Sequence, residues 1–178
     1  ASTTVGLIDS VLKTAVNRID LGAFVLTEPT LTDSMAQLAA KGVTVRGLFD
    51  QGYVDNDFSA TLDMWGVRLL DAGCALKPQL RPWAVTPMAI GYPVLPEGDK
   101  LHHKVAVVDD RTVVAGSMNW SNEALRSNDE NVLVVHSPAV AAAFRQELER
   151  LHASAVYGPS PALRARAMQD AQRCANTR

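Results

Sequence analysis

An α/β domain with a mixed, largely parallel sheet flanked by helices is what this sequence predicts. Two observations carry the prediction. Along residues 4–50, apolar residues recur at helix, strand, helix and strand spacing in turn, which is the order of a βαβ unit and of parallel pairing. Further on, two β-rich runs flank a short polar turn and read as a hairpin. The 178 residues suit one domain, 1–178, with residues 159–178 as a C-terminal helical extension.

The elements follow in order. Ser2-Thr3-Thr4 can cap a helix, and Val5, Ile8, Leu12, Val16 and Ile19 recur on one of its faces. Leu21 to Thr27 is short and apolar, as a buried strand is. Pro29-Thr30 opens a second helix with Leu31, Met35 and Leu38 on one face, and Gly42 ends it. Val43 to Asp50 reads as the second strand. Phe58 to Trp65 reads as a short helix, followed by a turn into a strand over Gly66 to Leu70. Pro82 to Gly98 reads as a long Pro-rich loop, the kind that serves as a substrate lip, a subunit contact or a packed surface connection. Strands are expected over His102–Val108, Thr112–Met118 and Asn131–His136. Ser137-Pro138 is an N-cap with Pro at the first helical position, and the helix it opens turns Val140, Ala143, Phe144, Leu148 and Leu151 inward. A last helix is expected over Leu163–Ala175.

Composition narrows the class. Hydrophobic residues make up 47% and charged residues 20%, enough for a real core. No stretch approaches the roughly 20 apolar residues of a membrane span, so the chain reads as soluble. The net charge of −2 speaks against a strongly basic nucleic-acid binder, and Arg46, Lys77, Arg81, Lys100 and Arg111 read as scattered solvated charges. Cys74 and Cys174 match no metal spacing. They read first as two free thiols, and second as a disulfide of an exported protein. The compartment itself is not legible.

The chemistry lies between residues 102 and 130. His102 and Lys104 share a strand face, and so do Ser117 and Asn119 on the returning strand. With Asp110-Arg111 as the tip, Asp109 faces Thr112, Lys104 faces Ser117 and His102 faces Asn119. The four side chains then converge. Lys104 supplies a cation, Ser117 and Asn119 supply neutral donors for non-bridging oxygens, and a neutral imidazole among them can attack phosphorus. No carboxylate cluster is evident to hold a metal, so no metal and no cofactor is expected.

These residues carry a family resemblance. His102, Lys104 and Asp109 match the HxKxxxxD motif of the phospholipase D superfamily. Gly116-Ser117-Met118-Asn119 matches its GSxN element, and Asn128-Asp129-Glu130-Asn131 its downstream Asn-x-Glu-Asn stretch. The resemblance covers most of residues 5–155. It implies a phospholipase D-like fold and a metal-independent phosphodiester hydrolase that works through a phosphohistidine. His102 is then the nucleophile or the acid, Lys104, Ser117 and Asn119 bind phosphate, and Glu130 holds the distal ring nitrogen of His102. Asp109 belongs to the motif but sits at the hairpin turn, where a structural role is expected. His103 points to the other face, away from the chemistry.

The family site uses two HxK motifs, and this chain holds one. It is therefore expected to be a homodimer, or one half of a protein whose second half bears the other motif. The substrate is a nucleic acid or a phospholipid. A nuclease is the first reading and a lipid phosphodiesterase of phospholipase D or cardiolipin-hydrolase type the second. A catalytically incomplete half or scaffold is the third.

Overall fold

The computed structural model of the chain describes residues 3–121, 123–124 and 128–175. Ser2 of the expected cap lies outside them, and Thr3 caps the first helix, its side chain accepting from the Gly6 amide. Helices α1 (Thr4–Leu12) and α2 (Pro29–Ala40) alternate with strands β1 (Arg18–Ala23) and β2 (Thr44–Phe49). The short helix α3 (Ala60–Met64) precedes β3 (Ile90–Pro93). Next come the hairpin β4 (Lys104–Val108) and β5 (Thr112–Gly116), then β6 (Val132–His136). Helix α4 (Pro138–His152), strand β7 (Ala155–Tyr157) and helix α5 (Pro161–Ala175) complete the chain.

All seven strands form one sheet in the order β6-β5-β4-β1-β2-β3-β7. The expected βαβ unit is present, with β1 parallel to β2 and β2 parallel to β3. The sheet is mixed, but not largely parallel. β1–β4, β4–β5, β5–β6 and β3–β7 all pair antiparallel. The tight turn between β4 and β5 permits no other arrangement, because a parallel neighbour needs a crossover of a dozen residues or more.

Side-chain alternation sorts the core into two faces. Ala106, Val108 and Val114 pack with Ile8, Leu12, Leu31 and Met35 beneath α1 and α2. Val105, Val107 and Val113 pack with Ala141, Leu148 and Leu151 of α4. Arg46 belongs to this second side, where its guanidinium meets the buried carboxylate of Asp20 at 3.0 Å and Glu149 at 2.9 Å.

Three expectations are corrected here. Helix α1 stops at Leu12, so Val16 and Ile19 do not continue its face. Val16 is 75% exposed and Ile19 lies inside β1. The cause is remote in sequence, since both carboxylate oxygens of Asp109 capture the amides of Val16, Asn17 and Arg18 at 2.7–2.8 Å and start β1 early. The Pro82–Gly98 segment is not all loop, because Ile90–Pro93 forms an inner strand between β2 and β7. Gly91 permits this pairing, as a Cβ there would lie 1.9 Å from the Val156 carbonyl oxygen. Residues 66–70 form no extended strand, only a single bridge from Leu70 to Leu76.

The cysteines pair. Cys74 and Cys174 form a disulfide with 5.5 Å between Cα atoms, which overturns the first reading of two free thiols. It ties α5 to the segment after α3. There Leu163 packs with Leu62, Val67, Leu69 and Leu80, and the Asp170 carboxylate accepts from the Leu70 amide at 3.0 Å. Arg166 grips Asp57 with two bonds of 2.7 Å, and Lys77 adds a third at 2.7 Å. No helix among the described residues is long and apolar enough to cross a membrane.

This docking makes a pH prediction. The hydrogen bonds from Arg166 hold the Asp57 carboxyl down at about 2, against the opposing effect of burial and with help from Lys77. A depressed carboxyl stabilises the fold above its unfolded value of about 3.9 and loses that contribution as pH falls through the folded value. The melting temperature is therefore expected to fall between about pH 4 and pH 2, and Asp57→Asn to flatten that slope. Calorimetry across this range checks it. An identical acid slope in both proteins would contradict it.

Candidate active site

The hairpin sets the geometry. Val105 faces Ala115 and Val108 faces Thr112, so the register differs by one residue from the expected pairing of Lys104 with Ser117. The tip is Asp109-Asp110, both at positive φ (48° and 55°), rather than Asp110-Arg111. Aspartate tolerates this conformation, and the three amides held by the Asp109 side chain lock it in place. Asp109 thus lies at the far end of β4 from His102, roughly 17 Å along the strand from Lys104 at ~3.3 Å per residue. Burial pushes its carboxyl up, but the Arg18, Val16 and Asn17 amides outweigh that and draw it below the ordinary aspartate range. It holds the turn against the entry to β1 and takes no part in a site around His102.

At the other end of β4 the side chains form two clusters. In the first, the exposed His102 ring packs edge-on against Phe24 with centroids 4.8 Å apart. The Lys104 ammonium lies 5.2 Å from the centre of the same Phe24 ring and donates to the His102 carbonyl at 2.9 Å. Lys104 is 7% exposed, and burial pushes its ammonium below the usual lysine range while Glu130 pulls it back up. An ammonium has three hydrogens. Among the described residues one is committed to His102, which leaves two for an incoming anion.

The second cluster gathers at the end of β5. Ser117 donates its hydroxyl hydrogen to Glu130 and accepts from the Asn131 amide at 3.0 Å. Asn128 donates to the other oxygen of Glu130 at 3.1 Å. The Ser117 and Asn128 bonds, with Lys104 nearby, keep the Glu130 carboxyl below the ordinary glutamate range. Lys104 and Glu130 sense each other's charge, so the clusters are neighbours. Among the described residues, however, no hydrogen bond joins them.

Two expected roles change accordingly. Glu130 contacts Ser117 and Asn128 and not the distal nitrogen of His102. The one-residue register shift and the bend at Ser117 turn the strand end toward the Asn128–Asn131 segment instead. Ser117 has a single hydroxyl hydrogen, and Glu130 takes it. It reaches a phosphate oxygen only by releasing that bond. Asn119 lines a cleft of about 630 Å³ beside the site, together with Phe24, Tyr53, Phe58 and Arg81.

Gly116 has a definite task. A Cβ there would lie 2.1 Å from the Asn131 carbonyl oxygen, so only glycine lets β6 approach and deliver Glu130 to Ser117. Gly116→Ala should cost about 1–3 kcal/mol of stability by overpacking. It should also lower any turnover at this site about 10–100-fold through misplaced groups. Denaturant titration alongside an assay checks both. Wild-type values would contradict this reading of the pairing.

His103 behaves as expected. It faces α4 on the opposite side of the sheet, 3.8 Å from Glu147, and burial lowers its imidazole below the usual histidine range, with Glu147 opposing. Phe24 and Tyr53 were not foreseen. Phe24 becomes a neighbour of His102 because β1 pairs antiparallel with β4, and Tyr53 packs against Phe24 in turn; no local signal in the sequence marks that pairing.

The fold and these motif residues define a domain of the phospholipase D superfamily, and the chain belongs to it. Residues 8–152 match the family described as cardiolipin synthase, PLD-like domain. A mitochondrial cardiolipin hydrolase of Xenopus tropicalis is 31% identical over 137 residues, covering 77% of this chain and 55% of that protein. The Homo sapiens protein of the same name is 31% identical over 134 residues, covering 75% of this chain and 44% of its own length. The chain thus spans about half the length of the curated relatives it matches. Among solved structures, the phospholipase D family member Nuc from Salmonella typhimurium superposes with a TM-score of 0.66 at 20% identity, covering 89% of this chain and 93% of Nuc. NucT from Helicobacter pylori gives 0.69 at 17% identity, covering 86% and 90%. These two likenesses establish the fold. Residues 153–178, including α5 and Cys174, lie beyond the family match.

Proposed function

We propose that the chain is a metal-independent phosphodiester hydrolase in which His102 attacks phosphorus. The observation that carries this reading is the pairing of an exposed imidazole with a nearly buried lysine whose ammonium, among the described residues, keeps two hydrogens uncommitted. A ring nitrogen of His102 forms a bond to phosphorus, the ester P–O bond breaks, and the leaving oxygen takes a proton from a second imidazole. Water then attacks phosphorus, the P–N bond breaks, and the second imidazole accepts the water's proton. Lys104 and the Asn119 amide stabilise the charge on the non-bridging oxygens. Ser117 and Glu130 hold the rim of the site, and Ser117 joins the phosphate set if substrate draws it off Glu130.

The second imidazole is His102 of another copy of the chain, placed across a two-fold axis, or the histidine of a second HxK-bearing half. The Cys74–Cys174 disulfide fits work in an oxidising compartment.

Single-stranded nucleic acid is the substrate we place first, with Tyr53 and Phe58 at the cleft as stacking surfaces for bases. A cationic track would contribute little. Arg81 is paired with Asp33 and Lys77 with Asp57, and Asp57, Asp63 and Glu123 also face the cleft. One observation favours a phospholipid instead. Phe58 is 54% exposed at the cleft, and Val85 and Met88 are exposed on the Pro-rich segment.

The test is hydrolysis of bis(p-nitrophenyl) phosphate, a single-stranded oligonucleotide and cardiolipin vesicles, each in excess EDTA. Hydrolysis of the small diester should persist in EDTA, and the other two substrates identify the natural class. Activity lost in EDTA and restored by Mg²⁺ would overturn the mechanism.

A further inference from the structure

Asp50 directly follows β2 and is 3% exposed. Among the described residues it pairs with no cation. One oxygen accepts from the Gly52 amide at 3.0 Å and the other from the Leu101 amide at 2.9 Å. These amides belong to two segments that converge on His102 from different directions.

The first route runs through the backbone. Leu101 immediately precedes His102 and is 1% exposed, and His102 and His103 come before the regular ladder of β4 begins. Three bonds hold this stretch. They are Leu101 N–H to Asp50, Phe24 N–H to the His103 carbonyl at 2.7 Å, and the Lys104 ammonium to the His102 carbonyl. The second route runs through rings. The turn that Asp50 makes with Gly52, and the Tyr53 amide bonded to the Asp50 carbonyl at 3.0 Å, set the position of Tyr53. Its ring packs edge-on against Phe24 at 4.8 Å, and Phe24 packs edge-on against His102 at 4.8 Å.

We infer that Asp50 is a positioning residue for His102, fixing the backbone beneath the imidazole and the aromatic wall against it with one carboxylate. The inference rests on the phosphodiesterase reading above for its kinetic consequence, but not for its structural one. An ionised carboxylate is an acceptor on both oxygens, which this junction requires. An asparagine amide can accept one N–H but presents its own N–H₂ to the other, so one of the two segments must let go.

The test compares Asp50→Asn with Asp9→Asn. Asp9 is another buried carboxylate, on α1, bonded to Ser34 and Lys13 at 2.5 Å and to neither segment that flanks His102. With bis(p-nitrophenyl) phosphate, Asp50→Asn should lower kcat about 10–100-fold, the scale of a slightly misplaced reacting group, with KM within about twofold. Asp9→Asn should lower the melting temperature without changing kcat. Nuclear magnetic resonance of the His102 ring supplies a readout that needs no activity. Asp50→Asn should broaden or shift those signals, and Asp9→Asn should leave them in place. If the wild-type chain on its own hydrolyses nothing, its reading as a self-sufficient phosphodiesterase fails and the ring signals still decide the role of Asp50. A folded Asp50→Asn with wild-type kcat and unchanged His102 signals would overturn the inference. So would losses of kcat in both variants proportional to their losses of stability.

Discussion

His102→Asn is expected to lower turnover of a small phosphodiester by roughly 10⁴-fold, about 5.5 kcal/mol of barrier, the scale on which loss of a nucleophile acts. The ring is exposed at the open end of the hairpin and makes one edge contact with Phe24, so stability should change by no more than about 0.5 kcal/mol. The adjacent residue is the control. His103 lies on the opposite face against α4, and His103→Asn should leave activity within about tenfold, near 1.4 kcal/mol. Steady-state kinetics on both variants, with melting curves, separates chemistry from folding. Equal damage from the two substitutions would show that the assignment of faces along β4 is wrong.

Reduction of the Cys74–Cys174 disulfide should destabilise the fold strongly. The bond closes a loop of 100 residues, for which chain entropy alone gives up to about 4.7 kcal/mol and typical measured values run at about 2–4. At ~2–4 °C per kcal/mol for a chain of this size, the melting temperature should fall by roughly 4–16 °C. The mechanism is specific. Of the described residues of α5, Leu163 and Cys174 are buried, so without the bond the helix is held by Leu163, the Arg166–Asp57 pair, the Asp170 contact with Leu70 and the Arg173 bond to the Asp71 carbonyl at 2.8 Å. Hydrogen exchange should show α5 losing protection first. Melting with and without a dithiol reductant, and of the Cys74→Ser/Cys174→Ser protein, checks this. An unchanged melting temperature would contradict it.

Much of the site was legible before the fold was known, because the residues of the two motifs are close in sequence and strand alternation is a local rule. His102 and Lys104 on one face and His103 on the other follow from period two alone. What the sequence hid was set by distant partners. The turn shifted by one residue because Asp109 is caught by amides some 92 residues away. The end of α1 came from the same contact. The strand at Ile90–Pro93 was concealed by flanking prolines and shows itself only through its neighbours β2 and β7. The pairing of β1 with β4, which brings Phe24 to His102, has no local signature. The cysteines gave two readings, and the structure pairs them, since α5 folds back onto the segment after α3. Glu130 bonds Ser117 and Asn128 rather than the His102 ring, because its partners depend on where β5 bends.

The central claim is that His102 becomes covalently bonded to phosphorus during turnover. Mass spectrometry of the chain quenched in base during hydrolysis of bis(p-nitrophenyl) phosphate tests it directly. The account predicts an acid-labile nitrophenyl phosphoryl group on His102, absent from His102→Asn. Steady turnover with no adduct on His102, or with the adduct on His103, His136 or His152, would contradict it.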